Sequence, residues 1–341
     1  MTPLVSVLMP VRNGMPWLED ALCSLRGQTL KNIEILVLED GSTDESPRLL
    51  AGWPDPRVRI IPTGGIGIGG ALNVGLREAR APYVARQDAD DVSLASRLER
   101  QVDLLQRHAH VDLVGCTAEY IDALGRSIDN PWVQTIRRQQ DVAVTPQQIR
   151  DLMPLTCCLT HGSIVVRTDL LRRAGGYNPT ASPAEDYDLW LRLLPDARFA
   201  KLPERLYLYR VHENQATTVA RPNQIRTTIT AKLRYLRRLC PGLPSPARLA
   251  LVGNPRGDAS YQEFAEACGF VTMPALPALE QRNLPFLARQ LLRRRAFEGW
   301  DVLAVTDFDA LEAYSAMAAS AGLTRVGNFF INHQRASAEA A

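Results

Sequence analysis

Residues 83–91 read Tyr83-Val84-Ala85-Arg86-Gln87-Asp88-Ala89-Asp90-Asp91, an apolar opening that runs into three carboxylates within four positions. Tyr83–Ala85 predicts the start of a strand, and Asp88–Asp91 falls at its carboxyl end. Like charges this close repel one another unless a cation or water neutralises them. Hard oxygen ligands of this kind suit Mg2+ or Mn2+ held jointly with substrate phosphates. The competing reading is a solvated turn that caps a helix beginning near Ser93.

Upstream, the same strand-then-turn unit recurs. Val5–Val11 (VSVLMPV) is an apolar run ended by the turn signal Arg12-Asn13-Gly14. Trp17, Leu18, Ala21, Leu22 and Leu25 follow at helical spacing. Ile33–Leu38 is a second apolar run, closed by Glu39-Asp40-Gly41-Ser42. Ser42 or Thr43 is the expected cap of the next helix, with Asp44 and Glu45 in its first turn. Val58–Ile61 predicts a third strand, and the glycine-rich Gly64–Gly70 leads into a helix over Ala71–Ala79. Strand and helix thus alternate, which predicts an α/β fold with a parallel sheet covered by helices. Ligands of such sheets sit at the carboxyl ends of the strands. Asp40 and Asp88–Asp91, far apart in sequence, are therefore expected at one edge.

Downstream, Val111–Gly115, Ser163–Val166 and Tyr207–Arg210 predict short strands among helices. Ser182-Pro183-Ala184-Glu185-Asp186 opens a helix carrying Leu189, Trp190, Leu193 and Leu194. Ser182 is the expected N-cap and Glu185 its capping-box partner. Asp186 then lies in the first turn, where the helix dipole favours an ionised carboxylate. There it either complements the dipole or serves as a general base. Tyr209-Arg210-Val211-His212 places Arg210 and His212 on one face, where a diphosphate or a metal would meet both. Arg226–Cys240 reads as a basic helix, and Pro241–Pro246 (PGLPSP) as the domain boundary. The expected division is residues 1–240, a small α/β module over 247–332, and a frayed tail over 333–341. In that module Leu249–Val252, Phe270–Met273, Val302–Thr306 and Thr324–Ile331 predict strands.

A chain of 341 residues with 46% hydrophobic and 22% charged residues has room for a large core. Its net charge of +2 excludes a global electrostatic pull toward nucleic acid. The six cysteines show no CxxC pair, which fits reduced thiols rather than a disulfide framework. No signal-peptide pattern opens the chain, and no apolar run is long enough to span a membrane. A cytoplasmic protein is expected.

In order and spacing, these segments resemble the family 2 glycosyltransferases, whose catalytic domain has the GT-A fold. Val5–Asn13 looks like the family's first strand and turn. Glu39-Asp40-Gly41-Ser42-Thr43-Asp44 is similar to its DDGSTD segment, with Glu39 in place of the usual first Asp. Ala71-Leu72-Asn73-Val74-Gly75 resembles its AxNxG helix, and Asp88-Ala89-Asp90-Asp91 its metal motif. Ala174-Gly175-Gly176-Tyr177 resembles the turn before its Glu-Asp pair, here Glu185-Asp186, and Tyr209–His212 its late YRxH segment. The resemblance covers residues 3–220; the stretch Gly64–Gly70 departs from the usual pattern.

The resemblance implies an inverting transfer from a nucleoside-diphosphate sugar, a UDP-sugar foremost, assisted by Mn2+ or Mg2+. It implies that Asp186 takes the proton from the acceptor hydroxyl. Pro10, Val11, Asn13, Asp40, Asn73, Asp88 and Arg210 would then line the donor, with Asp40 on the base or ribose. Asp90, with His212, would hold the metal. The acceptor implied is a carbohydrate, free or lipid-linked, as in bacterial cell-surface polysaccharide or glycoconjugate synthesis. The basic stretches Lys232–Arg238 and Arg293–Arg295 are candidates for contact with the inner face of an anionic membrane, against the alternative of a solvated helix face. The C-terminal module resembles degenerate Rossmann-like units. Its Val252-Gly253-Asn254-Pro255-Arg256-Gly257 turn lacks a GxGxxG, which points to packing, homo-oligomerisation or partner docking. Two other functions compete: a sugar nucleotidyltransferase, whose glycine-rich loop Arg12–Pro16 matches poorly, and a non-catalytic sugar-nucleotide-binding module.

Overall fold

The computed structural model describes residues 2–141, 143–215, 221–252, 255–272, 301–305, 324–326 and 329–331. By packing, the chain divides into two units, Met1–Arg221 and Pro222–Ala341.

In the first unit, β1 (Val5–Val11), β2 (Ile33–Glu39), β3 (Val58–Pro62) and β4 (Tyr83–Arg86) form the parallel half of an eight-stranded sheet. β1 lies between β2 and β4. Both faces of this half are covered, so β1 and β2 read as continuous apolar runs rather than alternating ones. Helices α1 (Leu18–Arg26), α2 (Ser46–Ala51) and α3 (Ile68–Glu78) connect them. α1 turns Leu18, Ala21, Leu22 and Leu25 inward, all fully buried. α3 lies hard against the sheet: a Cβ on Gly75 would stand 2.8 Å from a Leu38 methyl and 3.0 Å from one of Leu8, so a larger residue there would make these side chains shift.

After β3 the chain crosses to the far side of β1 to form β4, so the order of strands reverses there. Such a switch point opens a crevice at the carboxyl ends of the two strands. Beyond β4 come β5 (Val92–Ser93), α4 (Arg97–Arg107), β6 (Leu113–Ile121), α5 (Pro131–Gln140) and α6 (Pro146–Leu152). Then follow β7 (Val165–Arg167), α7 (Thr168–Arg173), α8 (Glu185–Leu193) and β8 (Phe199–Arg210). The sheet runs β3-β2-β1-β4-β7-β6-β8-β5. β7 is antiparallel to both β4 and β6, and β5 to β8, whereas β6 and β8 run parallel.

Several local expectations shift. α2 begins at Ser46 rather than near Ser42, because Asp44 turns back: its carboxylate accepts from the amides of Ser46 (2.9 Å) and Met15 (3.0 Å). α3 starts inside the glycine stretch, at Ile68. The capping box expected of Ser182 and Glu185 does not form. α8 begins at Glu185 itself, Ala184 is its N-cap, and no side chain caps it. Ser163 belongs to a 3-10 turn, so β7 starts only at Val165.

The second unit holds α9 (Arg221–Leu239), β9 (Ala247–Val252), α10 (Pro255–Ala265), β10 (Phe270–Thr272), β11 (Val302–Val305), β12 (Thr324–Val326) and β13 (Phe329–Ile331). Its sheet runs β10-β9-β11-β13-β12, with β9 parallel to β10 and β11, and β13 antiparallel to its neighbours. Ile229, Leu233 and Leu236 of α9 pack with Leu243, Leu249, Leu251, Phe270 and Val302. That apolar stripe assigns α9 to the second unit, so the division falls at Arg221 and not at the proline-rich Pro241–Pro246. Lys232, read as part of a basic face, is only 6% exposed, and burial pulls its pKa down to about 8. Arg293–Arg295, Gly253-Asn254 and the tail over 333–341 lie outside the described residues. Among the described residues no helix is long and apolar enough to cross a membrane. All six cysteines are free.

Candidate functional site

The turn after β2 and the glycine stretch meet at Asp40. Asp40 is 3% exposed. Its Oδ1 accepts from the Thr63 hydroxyl (2.6 Å) and from the amides of Gly65 (3.0 Å) and Ile66 (2.9 Å). Its Oδ2 accepts from the Gly67 amide at 2.9 Å. Burial alone would raise the pKa, but the Thr63 hydroxyl and the three amides outweigh it and hold the carboxyl below its ordinary value. Asp40 is thus an ionised pin that gathers the loop over 63–67.

Beside it, Asn13 ties the first turn to the second. Its side-chain oxygen accepts from the Thr43 amide at 2.8 Å, and its own amide donates to Ser42 Oγ at 3.0 Å. Pro10 is half-buried and Val11 fully buried at the end of β1, where the Val11 carbonyl accepts from the Asp40 amide at 2.8 Å. Asn73 faces the Gly175-Gly176-Tyr177 turn. Its side-chain amide donates to the Tyr177 carbonyl and accepts from the Tyr177 amide, each at 2.8 Å.

The three acidic residues after β4 go to three different places. Asp88 Oδ1 accepts from Arg86 Nη2 at 2.6 Å, and its amide donates to Tyr207 Oη at 3.2 Å. Burial raises the Asp88 pKa, against the opposing pull of Arg86. Arg86 is itself 1% exposed, whereas the Asp88 side chain stays partly open to solvent. Asp91 points inward. One oxygen accepts from the Arg210 amide at 2.7 Å, and the other is buried with no partner among the described residues. Burial, then the charges of Asp90 and Asp88, push its pKa well above the ordinary value, so its charged form is disfavoured. Asp90 remains, with its Oδ2 2.9 Å from His212 Nε2.

Arg210, 4% exposed, spends its donors on the surrounding chain. It reaches the carbonyls of Asp90 (2.8 Å) and Ala123 (3.2 Å) and the carboxylate of Asp20 (3.2 Å). Gln87 ties the turn from within, donating to the carbonyls of Asp91 and Asp88.

On α8, Asp186 is half-buried, and its Oδ1 accepts from the Tyr187 amide at 2.8 Å. Burial pushes its pKa up to about 6, with the charge of Asp88 adding to the rise and that of Arg86 opposing it. The helix terminus therefore does not keep this carboxyl low; desolvation wins. Glu185 is 5% exposed, and its Oε2 has no hydrogen-bond partner among the described residues. Burial and the adjacent Asp186 charge push it up to about 7. The α8 carboxyl thus stands within electrostatic reach of the turn after β4. That turn and Asp40 both lie at the carboxyl edge of the parallel sheet, after β4 and β2, the strands on either side of β1.

Asp90 and His212 present one oxygen and one nitrogen, a donor set acceptable to Mn2+. Among the described residues no group of three or more His, Cys, Asp or Glu converges as a complete cage. A cation here must take further ligands from its substrate, as ions bound with phosphates do. The residues fit such an ion.

Residue-by-residue reading missed Arg86, Tyr207, Gly162 and Trp17. Arg86 carried a usable signal, because a charged residue inside a buried strand requires a partner. Gly162 carried none. A Cβ there would stand 2.0 Å from Tyr207 Oη and 2.4 Å from Asp88 Oδ2, a closeness visible only in the fold.

Residues 6–172 match the family described as Glycosyl transferase family 2. An uncharacterized glycosyltransferase of Rickettsia prowazekii is 30% identical over 223 residues, covering 64% of this chain and 67% of that protein. An uncharacterized glycosyltransferase of Haemophilus influenzae is 30% identical over 232 residues, covering 66% of this chain and 71% of its own length. In fold, the chain is similar to S. aureus TarS 1–349 in complex with UDP-GlcNAc, with a TM-score of 0.56, 17% identity and 96% of each chain covered. It is also similar to the mannosyltransferase PcManGT from Pyrobaculum calidifontis in complex with GDP-Man and Mn2+, with a TM-score of 0.52 and 18% identity over 94% of this chain and 80% of that one. The sheet is of the GT-A kind.

Proposed function

Since the chain belongs to glycosyl transferase family 2, we propose that it transfers a sugar from a nucleoside diphosphate to an acceptor hydroxyl in one displacement that inverts the anomeric carbon. The observation that carries this reading is Asp186, a carboxyl whose burial pushes its pKa up to about 6, with the charge of Asp88 adding to the rise. At neutral pH it is ionised yet poorly solvated, the condition of an effective general base. In this reading Asp186 accepts the acceptor hydroxyl proton while the new bond to the anomeric carbon forms and the bond to the diphosphate oxygen breaks.

Asp90 and His212 hold the cation, which when bound neutralises charge on the departing diphosphate. Asp88, fixed by Arg86, faces the ribose or the sugar. Pro10, Val11, Asn13 and Asn73 shape the donor side. Asp40 acts there by seating the loop over 63–67, and Arg210 by ordering the backbone of Asp90. The ligands of the two fold neighbours, UDP-GlcNAc and GDP-Man with Mn2+, support a nucleoside-diphosphate sugar as donor; a UDP-sugar is the first choice. The acceptor proposed is a carbohydrate, free or lipid-linked, met on the cytoplasmic side of the membrane.

The test is release of nucleoside diphosphate from a panel of UDP- and GDP-sugars with Mn2+, beside calorimetric donor binding. Asp186→Asn is expected to keep donor binding and lose turnover. Wild-type turnover by that variant would remove the base assignment.

A further inference from the structure

Metal-ligating histidines usually donate their second ring N–H to a carboxylate or carbonyl, which fixes the orientation of the ring. Among the described residues His212 shows no such bond: its Nε2 faces Asp90, and its Nδ1 is buried with no hydrogen-bond partner there.

The indole of Trp17 lies against it, with ring centroids 4.1 Å apart and planes 33° from parallel. Trp17 is in turn held at three points. Its Nε1 donates to the Ala123 carbonyl at 3.0 Å. The same carbonyl accepts from Arg210 Nη1 at 3.2 Å, and the Arg210 guanidinium sits over the indole, 5.7 Å from its centroid. As the residue preceding α1, Trp17 is also fixed by the helix, whose next residue, Leu18, is fully buried. Core packing does not require an indole at this place, since Trp17 remains half-buried.

We propose that Trp17 is the positioning residue for His212: its indole face orients the imidazole and would hold Nε2 toward a cation shared with Asp90. The proposal rests on the metal reading above and assigns Trp17 a part in it. Loss of an outer partner of a metal ligand costs about 10- to 100-fold in metal affinity. A stack is weaker than a charged hydrogen bond, so the lower end applies.

The experiment titrates Mn2+ alone into the full chain, following free Mn2+ by electron paramagnetic resonance and tryptophan emission in parallel. Four forms are compared: wild type, Trp17→Phe, Trp17→Leu and His212→Ala, each checked for folding by circular dichroism. Trp17→Phe keeps an aromatic face and should bind Mn2+ within about 3-fold of wild type, whereas Trp17→Leu should bind about 10-fold more weakly. Mn2+ should quench a part of the wild-type emission that is absent in Trp17→Phe, which reports that the ion binds beside this indole; the affinity split between Phe and Leu reports the positioning role. If Trp17→Leu binds as wild type does while His212→Ala does not, the positioning role is overturned and the metal reading stands. If His212→Ala binds Mn2+ as tightly as wild type, the metal reading fails and takes the proposal with it. Should Trp17→Leu fail to fold, Trp17→Met takes its place, and Mn2+ affinity equal to wild type in that variant overturns the proposal.

Discussion

Gly162→Ala adds one methyl group at the most crowded point beneath the candidate site. A Cβ at 162 would stand 2.0 Å from Tyr207 Oη, 2.6 Å from Tyr207 Cζ and 2.4 Å from Asp88 Oδ2, against a practical lower limit of 3.0 Å. Tyr207 must withdraw by about 1 Å and Asp88 by about half of that before the side chain fits, and a packed core resists both shifts. Tyr207 is fully buried, and the Arg97 guanidinium lies 5.4 Å from its ring centroid. Arg97 is itself fixed by donating to the Gly162 carbonyl at 3.0 Å. The ring has no free direction in which to move. Overpacking of this kind costs about 1–3 kcal/mol, which for a domain of this size lowers the melting temperature by roughly 2–12 °C. Asp88 moves with it and strains its bond to Arg86. A displacement near 1 Å at a positioned group can cost about 100-fold in turnover. Thermal melting and nucleoside-diphosphate release, measured on the same preparation, read both effects. A Gly162→Ala protein that melts and turns over like wild type would refute the claim that Asp88 is held by contact with this turn.

Three further outcomes are expected. With Asp186 as the base, turnover should rise with pH through about 6 and level off above it; Asp186→Asn should be lower by about 100-fold or more and nearly flat. Glu185 keeps its proton in the fold up to about pH 7 but releases it near its ordinary value of 4.5 when the chain unfolds. The native state therefore binds the extra proton between those values, and stability must fall as pH rises across that window. Glu185→Gln should flatten this fall in urea melts taken at pH 5 and pH 7.5. Asp88→Ala leaves the buried Arg86 guanidinium without its carboxylate and should cost about 3–5 kcal/mol in denaturant unfolding, more than Arg86→Met, which leaves behind only a partly exposed aspartate.

Much of this site could be read from the chain because it stands where strands end. An apolar run closing on Glu39-Asp40-Gly41, or on Asp88-Ala89-Asp90-Asp91, announces both the strand and the edge that its acids occupy. Charge alone could not tell the three acids after β4 apart. Asp88 meets Arg86 two residues before it, but which acid meets His212 and which the Arg210 amide depends on β8 arriving alongside, about 120 residues later. The start of α8 was misplaced for a related reason. Ser182 and Glu185 have the spacing of a cap, but Glu185 is drawn into the core, and burial outweighs local propensity. The boundary at Pro241–Pro246 was plausible as punctuation, yet the apolar stripe Ile229, Leu233 and Leu236 decides where α9 packs.

The burial of Asp91 alters what an approaching anion encounters. By formula the turn after β4 carries three negative charges, enough to turn a diphosphate away before any dication could mediate. Burial disfavours the charge on Asp91 and Arg86 compensates that on Asp88, so the field at the mouth is weaker than the formal count. A cleft of lowered net charge would repel an incoming nucleoside diphosphate less.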